Sequence, residues 1–495
     1  MFRGEVDNLT GMFVALPCGY SEDLDFMPTY KTIENAKLVV KNDGITNEII
    51  LKEMIKMKLL SKGKEISFDI NINPEKLFIA KARHVSEYVS WEALTEKALN
   101  NPLGVKRLEE NKLADKKVCI ITDDWARLTP ASRIIPGIIN RLKLTGIKDE
   151  NIVFVTASGM HDPMSEADLI KKLGEETYKR FRCVSHDAGD KSRLAFIGLT
   201  ELGTPVWVNK YVAEADFKIG VGRVYPHISF GYEGGYKLIM PGVSSFETIG
   251  RNHALSISEY SVYGKVKDNP SRSEANAVGK VVGIDFLIDF VVDSKSEPGD
   301  PIDCFAGKVE EVFEECVKVG ERKVWGTKVG KEYDITIIST GDMSDHGESE
   351  EDNPTYYLGL ALGVTKESGT VIALMDEQVS SCRDTIEGID LDELSLSDLL
   401  LLHEKRNWND NERQVQHYIK RIRNALYRRK IIELHKQNLF IISDSFSKNK
   451  LIRYNAQHFN DINTALKKAM SLYEDPDILV ISEGEKTFPI IEYTF

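Results

Sequence analysis

A chain of 495 residues exceeds one ordinary core, so at least two folded units are expected. With 42% hydrophobic and 28% charged residues, its composition is that of a globular protein and excludes global disorder. The net charge of −13 argues against a nucleic-acid backbone as partner, which needs a basic surface, but leaves room for an anionic small molecule held by local Arg, Lys and His.

Residues 1–60 read as an N-terminal extension. Met1 to Gly19 lacks the basic start and apolar run of a secretory signal. Asn47 to Leu60 has apolar positions at helical spacing and predicts a short amphipathic helix. Residues 61–325 read as the first α/β domain, the one expected to bind a cofactor. Lys76 to Ala82 predicts a strand and Trp91 to Leu99 a helix. Lys117 to Thr122 is a continuous apolar run of the kind that buries a parallel strand on both faces. Arg133 to Leu144 follows as a helix, Asn151 to Ala157 as a strand, Ser165 to Leu173 as a helix and Asp216 to Gly222 as a strand. Lys308 to Lys318 predicts a helix leading to a second α/β domain, residues 326–445. There Tyr333 to Thr340, Gly369 to Met375 and Leu439 to Ser443 predict strands, and Tyr356 to Gly363, Ile389 to His403 and Arg413 to Tyr427 helices. Residues 446–495 form a tail expected to fold back onto the first domain. The expectation is an α/β protein whose two domains, with mainly parallel sheets, face a central cleft.

No run approaches the roughly 18 apolar residues that span a bilayer. Six scattered cysteines, none in a C-x-x-C pair, suggest neither a zinc ribbon nor a disulfide framework. A cytoplasmic location fits, with neither membrane nor nucleic acid as partner.

In parallel sheets ligands sit beyond the carboxyl ends of strands. Polar clusters fall at those ends here: Asp123-Asp124, then Ser158 to His161, then Arg223 to His227. Asp124 and Arg127 share the stretch TDDWARLTP, and an Arg just past a buried strand can hold a carboxylate bidentately. His161, His227 and His253 stand in Gly- or Pro-flanked segments, and imidazole exchanges protons near neutral pH. Lys237 follows Gly234-Gly235-Tyr236, where two glycines let the backbone approach a bulky ligand. No GxxxxGK[ST] phosphate loop is present, and no G-x-G-x-x-G follows the first strand.

Together DDWARLTP, GMHDPMSEADLIKKLG, SHDAGD and PHISFGYEGGYKLIMPGVSSFETIGRNH resemble the nickel-dependent lactate racemase family. The spacing is shared too, with His227 ten residues before Lys237 and His253 sixteen after it. The resemblance covers about Asp123 to His253. It implies that Lys237 attaches a nickel-pincer nucleotide, with Asp124, Gly234 and Gly235 around that group, and that His253 is the protein ligand on nickel. His161 and His227 would be the acid/base pair, and Arg127 would grip the carboxylate of a 2-hydroxy acid whose C2 is racemised or epimerised by reversible hydride transfer. Enzymes of cofactor biosynthesis would be partners.

The sequence departs from the family at several positions. Asp162 replaces the Arg after the first His, and Glu233 the Ser before the glycines. Leu358 and Ala361 stand where the family has Gln and Lys. These departures point to a larger or polyhydroxylated acid as substrate, with Asp345, His346 and His417 as further candidate contacts and Trp408 beside them. The alternatives are another cofactor-dependent oxidoreductase, or a non-catalytic ligand-binding relative on the same scaffold.

Overall fold

A computed structural model describes residues 39–40, 49–50, 52–61, 64–83, 85, 88–127, 129–293, 300–339, 355–375, 385–386, 388–406, 412–443, 455–484 and 487–495. After a short antiparallel pair, Val39–Val40 with Ile49–Ile50, come β1, Glu53–Ser61, and β2, Lys64–Ile72, paired as an antiparallel hairpin. The helix expected over Asn47 to Leu60 is therefore not formed where the structure describes that segment. Met57 and Leu59 are buried while Met54 is exposed. Lys56 and Lys58 alternate with the inward residues, and this period of two belongs to a half-buried strand. Strand β3, Leu77–Ala80, follows.

Helix α1, Trp91–Asn100, leads into the first large sheet. It is built from β4 (Val118–Asp123), β5 (Ile152–Ala157), β6 (Arg182–Ser185), β7 (Phe217–Val224), β8 (Phe286–Val292) and β9 (Pro301–Gly307). The strand order is β9-β8-β7-β4-β5-β6, parallel except for β9. Every residue of β4 is buried, as its unbroken apolar run requires. The covering helices are α2 (Ala131–Lys143), α3 (Glu166–Leu173), α4 (Phe246–Ala254), α5 (Pro270–Val282) and α6 (Val309–Val319). In α2, Ile134, Ile135, Ile138, Ile139 and Leu142 make one buried stripe. Ser165 caps α3 in a reciprocal box with Asp168, and Ser245 caps α4.

The second large sheet holds β10 (Tyr333–Ser339), β11 (Thr365–Leu374), β12 (Asn438–Ile442), β13 (Ala456–Phe459) and β14 (Ile478–Ile481). Its order is β13-β12-β11-β10-β14-β3, all parallel. Strand β3, read in chain order with the first unit, is thus an edge of the second sheet, next to β14 from the tail. Among the described residues, the helices of this half are α7 (Thr355–Leu362), α8 (Leu396–Glu404), α9 (Glu412–Leu434) and α10 (Ile462–Met470). The helix expected over Ile389 to His403 begins only at Leu396, after a short extended pair and a single 3-10 turn. The tail ends against the first half, where Thr494 donates its N–H to Glu321 and its hydroxyl to the carbonyl of Gly264. No helix among the described residues is long and apolar enough to cross a membrane.

Candidate active site

Strands β5 and β6 extend the first sheet to one side of β4 and β7 to the other, so the strand order reverses between β4 and β7. A crevice beyond the carboxyl ends is expected at such a switch point. An open cleft lies there, lined among others by Asp124, Arg127, His161, His227, Lys237 and His253.

His161 follows β5. Its Nδ1 lies 2.6 Å from Oδ2 of Asp124, which is buried at the end of β4, and its ring lies 5.7 Å from that of Trp125. A carboxylate on one ring nitrogen fixes the ring's orientation and with it the direction of the other nitrogen. Lys172 of α3 braces this corner, reaching the carbonyls of Asp124 and Arg127 at 2.9 and 2.6 Å and the Asp123 carboxylate at 2.5 Å.

His227 follows β7. Its Nδ1 accepts the backbone N–H groups of Ser229 and Phe230 at 3.2 and 3.3 Å, which assigns the neutral ring's proton to Nε2. Lys237 lies on a 3-10 turn, Gly235–Leu238. Phe230 stands at the centre of this wall: its ring is 5.2 Å from that of His227, 4.5 Å from Nζ of Lys237 and 5.9 Å from the ring of His253. Gly234 has φ +81°, and a Cβ there would meet Val224 at 2.6 Å and the Asp289 carboxylate at 2.7 Å. Asp289 accepts the N–H of Gly235 at 2.8 Å, and burial pushes its carboxyl up to about 7. Buried Arg272 of α5 donates to the carbonyls of Phe230, Tyr232 and Gly234, holding the loop from behind.

His253 is buried on α4. Its Nδ1 has no hydrogen-bond partner among the described residues. Burial, then the positive charges of Arg423 and Lys237, hold the imidazole well below its usual range, so the ring is neutral and able to ligate a metal. Among the described residues no group of three or more His, Cys, Asp or Glu converges to hold a metal by itself.

The lactate racemase N-terminal domain family matches residues 63–264. The lactate racemase of Thermoanaerobacterium thermosaccharolyticum is 29% identical over 265 residues, 53% of this chain and 61% of that protein. That of Lactiplantibacillus plantarum is 30% identical over 234 residues, 47% of this chain and 54% of that protein. Over residues 63–264, the chain is similar to the lactate racemase N-terminal domain family. The match spans less than two thirds of either relative. The solved lactate racemase apoprotein from Thermoanaerobacterium thermosaccharolyticum shares the fold, with a TM-score of 0.63 and 23% identity over 88% of this chain and 100% of that one.

The departures from the lactate racemase pattern have structural counterparts. Glu233 is buried between two guanidiniums, with Nε of Arg127 at 2.9 Å and Nε of Arg223 at 3.7 Å. Asp162 accepts a hydrogen bond from Gln416 of α9 at 3.2 Å. Leu358 and Ala361 are buried in the core, where aliphatic side chains are at home. His417 is exposed and is not among the residues lining the cleft, so it does not join the other candidates. Asp345, His346 and Trp408 lie outside the described residues. The sequence pattern did not point to Phe230, three residues after His227, or to Arg423 of α9, which also lines the cleft.

Proposed function

We propose that this protein is a racemase or epimerase acting at C2 of a 2-hydroxy acid, and that it uses a nickel-pincer nucleotide held by Lys237 and His253. The observation carrying this reading is that His161, His227, Lys237 and His253, more than ninety residues apart at their extremes, line one cleft at the switch point of the first sheet.

The residues present fit such a group. His253 offers a neutral imidazole with an orphaned buried nitrogen, and imidazole suits nickel. The Lys237 amine lies against Phe230 in the cleft, carried there by a turn whose positive φ at Gly234 and Gly235 suits glycine. When bound, the cofactor supplies reversible hydride acceptance, which spares the enzyme from forming a carbanion at a weakly acidic C2.

The chain's own residues do the rest. Arg127 orients the substrate carboxylate through its guanidinium, and Glu233 fixes the aim of that side chain. His161, supported by Asp124, takes the hydroxyl proton of one enantiomer and returns it; His227 serves the other. Two bases are required because the hydroxyl of each enantiomer meets a different one. The departures at Asp162, Glu233, Leu358 and Ala361 favour a larger or polyhydroxylated acid over lactate. A site that pairs added hydroxyls would discriminate strongly, since an analogue lacking them leaves buried groups unpaired.

The test is the intact mass of protein produced together with the cofactor's biosynthetic enzymes. A nickel-containing adduct mapping to Lys237 is expected. Full-occupancy protein with no adduct, or an adduct on another lysine, would overturn the assignment.

A further inference from the structure

Helix α9 carries Gln416, Arg423 and Lys430 at intervals of seven residues. Seven residues are two helical turns to within about 20°, so the three side chains share one stripe. Both ends of the stripe are tied to the first half of the chain. Gln416 is buried and donates to the carbonyl of Met160 at 2.6 Å and to Asp162 at 3.2 Å, the two neighbours of His161. Lys430 is buried and donates to the carbonyls of Ser256 and Ser261 at 3.0 and 2.8 Å, just past the helix that carries His253. Val415, Ile419 and Ile422 pack alongside.

This double anchoring leaves α9 little freedom. Rotating or sliding it by one residue would strip a buried lysine amine and a buried amide of their partners, each a costly loss. The residue midway between the anchors is therefore fixed in place. That residue is Arg423, which lines the cleft with Lys237 and His253. Its Nε and one terminal nitrogen reach the side-chain oxygen of Asn424 at 3.2 and 3.0 Å, which orients the guanidinium plane. Helix α7, by contrast, contributes buried Leu358 and Ala361, whose side chains carry no polar group.

We propose that Arg423 is the cleft's anion-binding residue from the second half of the chain, taking an anionic oxygen group of the bound ligand, carboxylate or phosphate, in addition to Arg127. A planar donor fork held in a cleft suits either group. The inference rests on the racemase reading only for the source of that group: the carboxylate of the 2-hydroxy acid, or a phosphate of the cofactor.

The test is calorimetric titration of the full-length protein with oxalate and, separately, with inorganic pyrophosphate. Arg423→Met is expected to weaken binding of one probe by about 10- to 100-fold, the scale of a charge-assisted hydrogen bond. Arg423→Lys should recover part of the loss, and both variants should melt close to the parent. Loss of oxalate binding assigns the substrate carboxylate, and loss of pyrophosphate binding assigns a cofactor phosphate. Unchanged affinity for both probes, or a parent protein that binds neither, overturns the proposal. The titrations read binding without turnover, so a failed racemase assay and a failed anion site remain distinguishable.

Discussion

Among the described residues both large sheets have six strands, and each buries inner strands along nearly their whole length: β4 in the first, β10 and β14 in the second. Their described carboxyl ends differ. Strands β4, β5 and β7 run out into Asp123-Asp124, Ser158 to His161 and Arg223 to His227, whereas β11, β12 and β14 run out into Met375, Ser443 and Ser482. Ligand chemistry is set by the loop at a strand's end and not by the sheet itself. The second half reaches the cleft by another route, through a helix pinned across the first half's loops.

This contrast can be broken most severely at Lys237. Lys237→Ala should abolish cofactor attachment and reduce turnover to background, read by intact mass and by a racemisation assay. Stoichiometric attachment in that variant would remove the first sheet's claim to the cofactor. Next in size, His161→Ala and His227→Ala should each lower kcat by about 10²- to 10⁴-fold, the usual contribution of a positioned acid or base. A variant at either position with parental kcat would leave the two-base scheme without support.

Acid probes the first sheet's loops independently of turnover. His186, just past β6, is fully buried and its Nε2 donates to the carbonyl of Ser244 at 2.9 Å. Burial pulls its imidazole down to about 4. The unfolded chain protonates near 6.5, so this stability is fully present above pH 6.5 and is lost as pH falls towards 4. The loss should be on the order of 3 kcal/mol by denaturant titration between pH 7 and 4. His186→Gln should flatten that slope, and an equally steep slope in the variant would place the acid sensitivity elsewhere. The smallest effect concerns the pin from the second half. Gln416→Ala leaves the Met160 carbonyl without its 2.6 Å donor and should cost about 1 kcal/mol of unfolding free energy. No change would mean that α9 is not held at this end.

Much of the first sheet was legible because buried parallel strands leave continuous apolar runs, as in Lys117 to Thr122 and Asn151 to Ala157. That His161, His227, Lys237 and His253 line one cleft was foreshadowed by the glycines and imidazoles just past β5 and β7, whereas His253, on α4, was singled out by its spacing from Lys237. The hairpin at Glu53–Ser61 was misread because Ile55, Met57 and Leu59 alternate while Met54 and Leu60 add apolar residues that mimic helical spacing. The sheet to which β3 belongs could not be read, since its partner Ile478–Ile481 lies some four hundred residues away. Arg423 was hidden among the many cationic residues of α9, and which of them faces the cleft depends on where Gln416 and Lys430 find their carbonyls. Phe230 gave no signal, because an aromatic residue in a loop is ordinary until three site side chains gather round its ring.

The central claim, inversion at C2 with hydride kept by the enzyme, meets its most direct test in an isotope experiment. Cofactor-loaded protein is given single enantiomers of 2-hydroxy acids deuterated at C2, from lactate to polyhydroxylated acids, in ordinary water. Configuration and label are followed together by chiral chromatography and mass spectrometry. The expected result is scrambling of configuration with the C2 deuterium retained, fastest on a polyhydroxylated acid. Washout of deuterium into solvent at the rate of inversion, or no inversion of any acid by fully loaded protein, would contradict it.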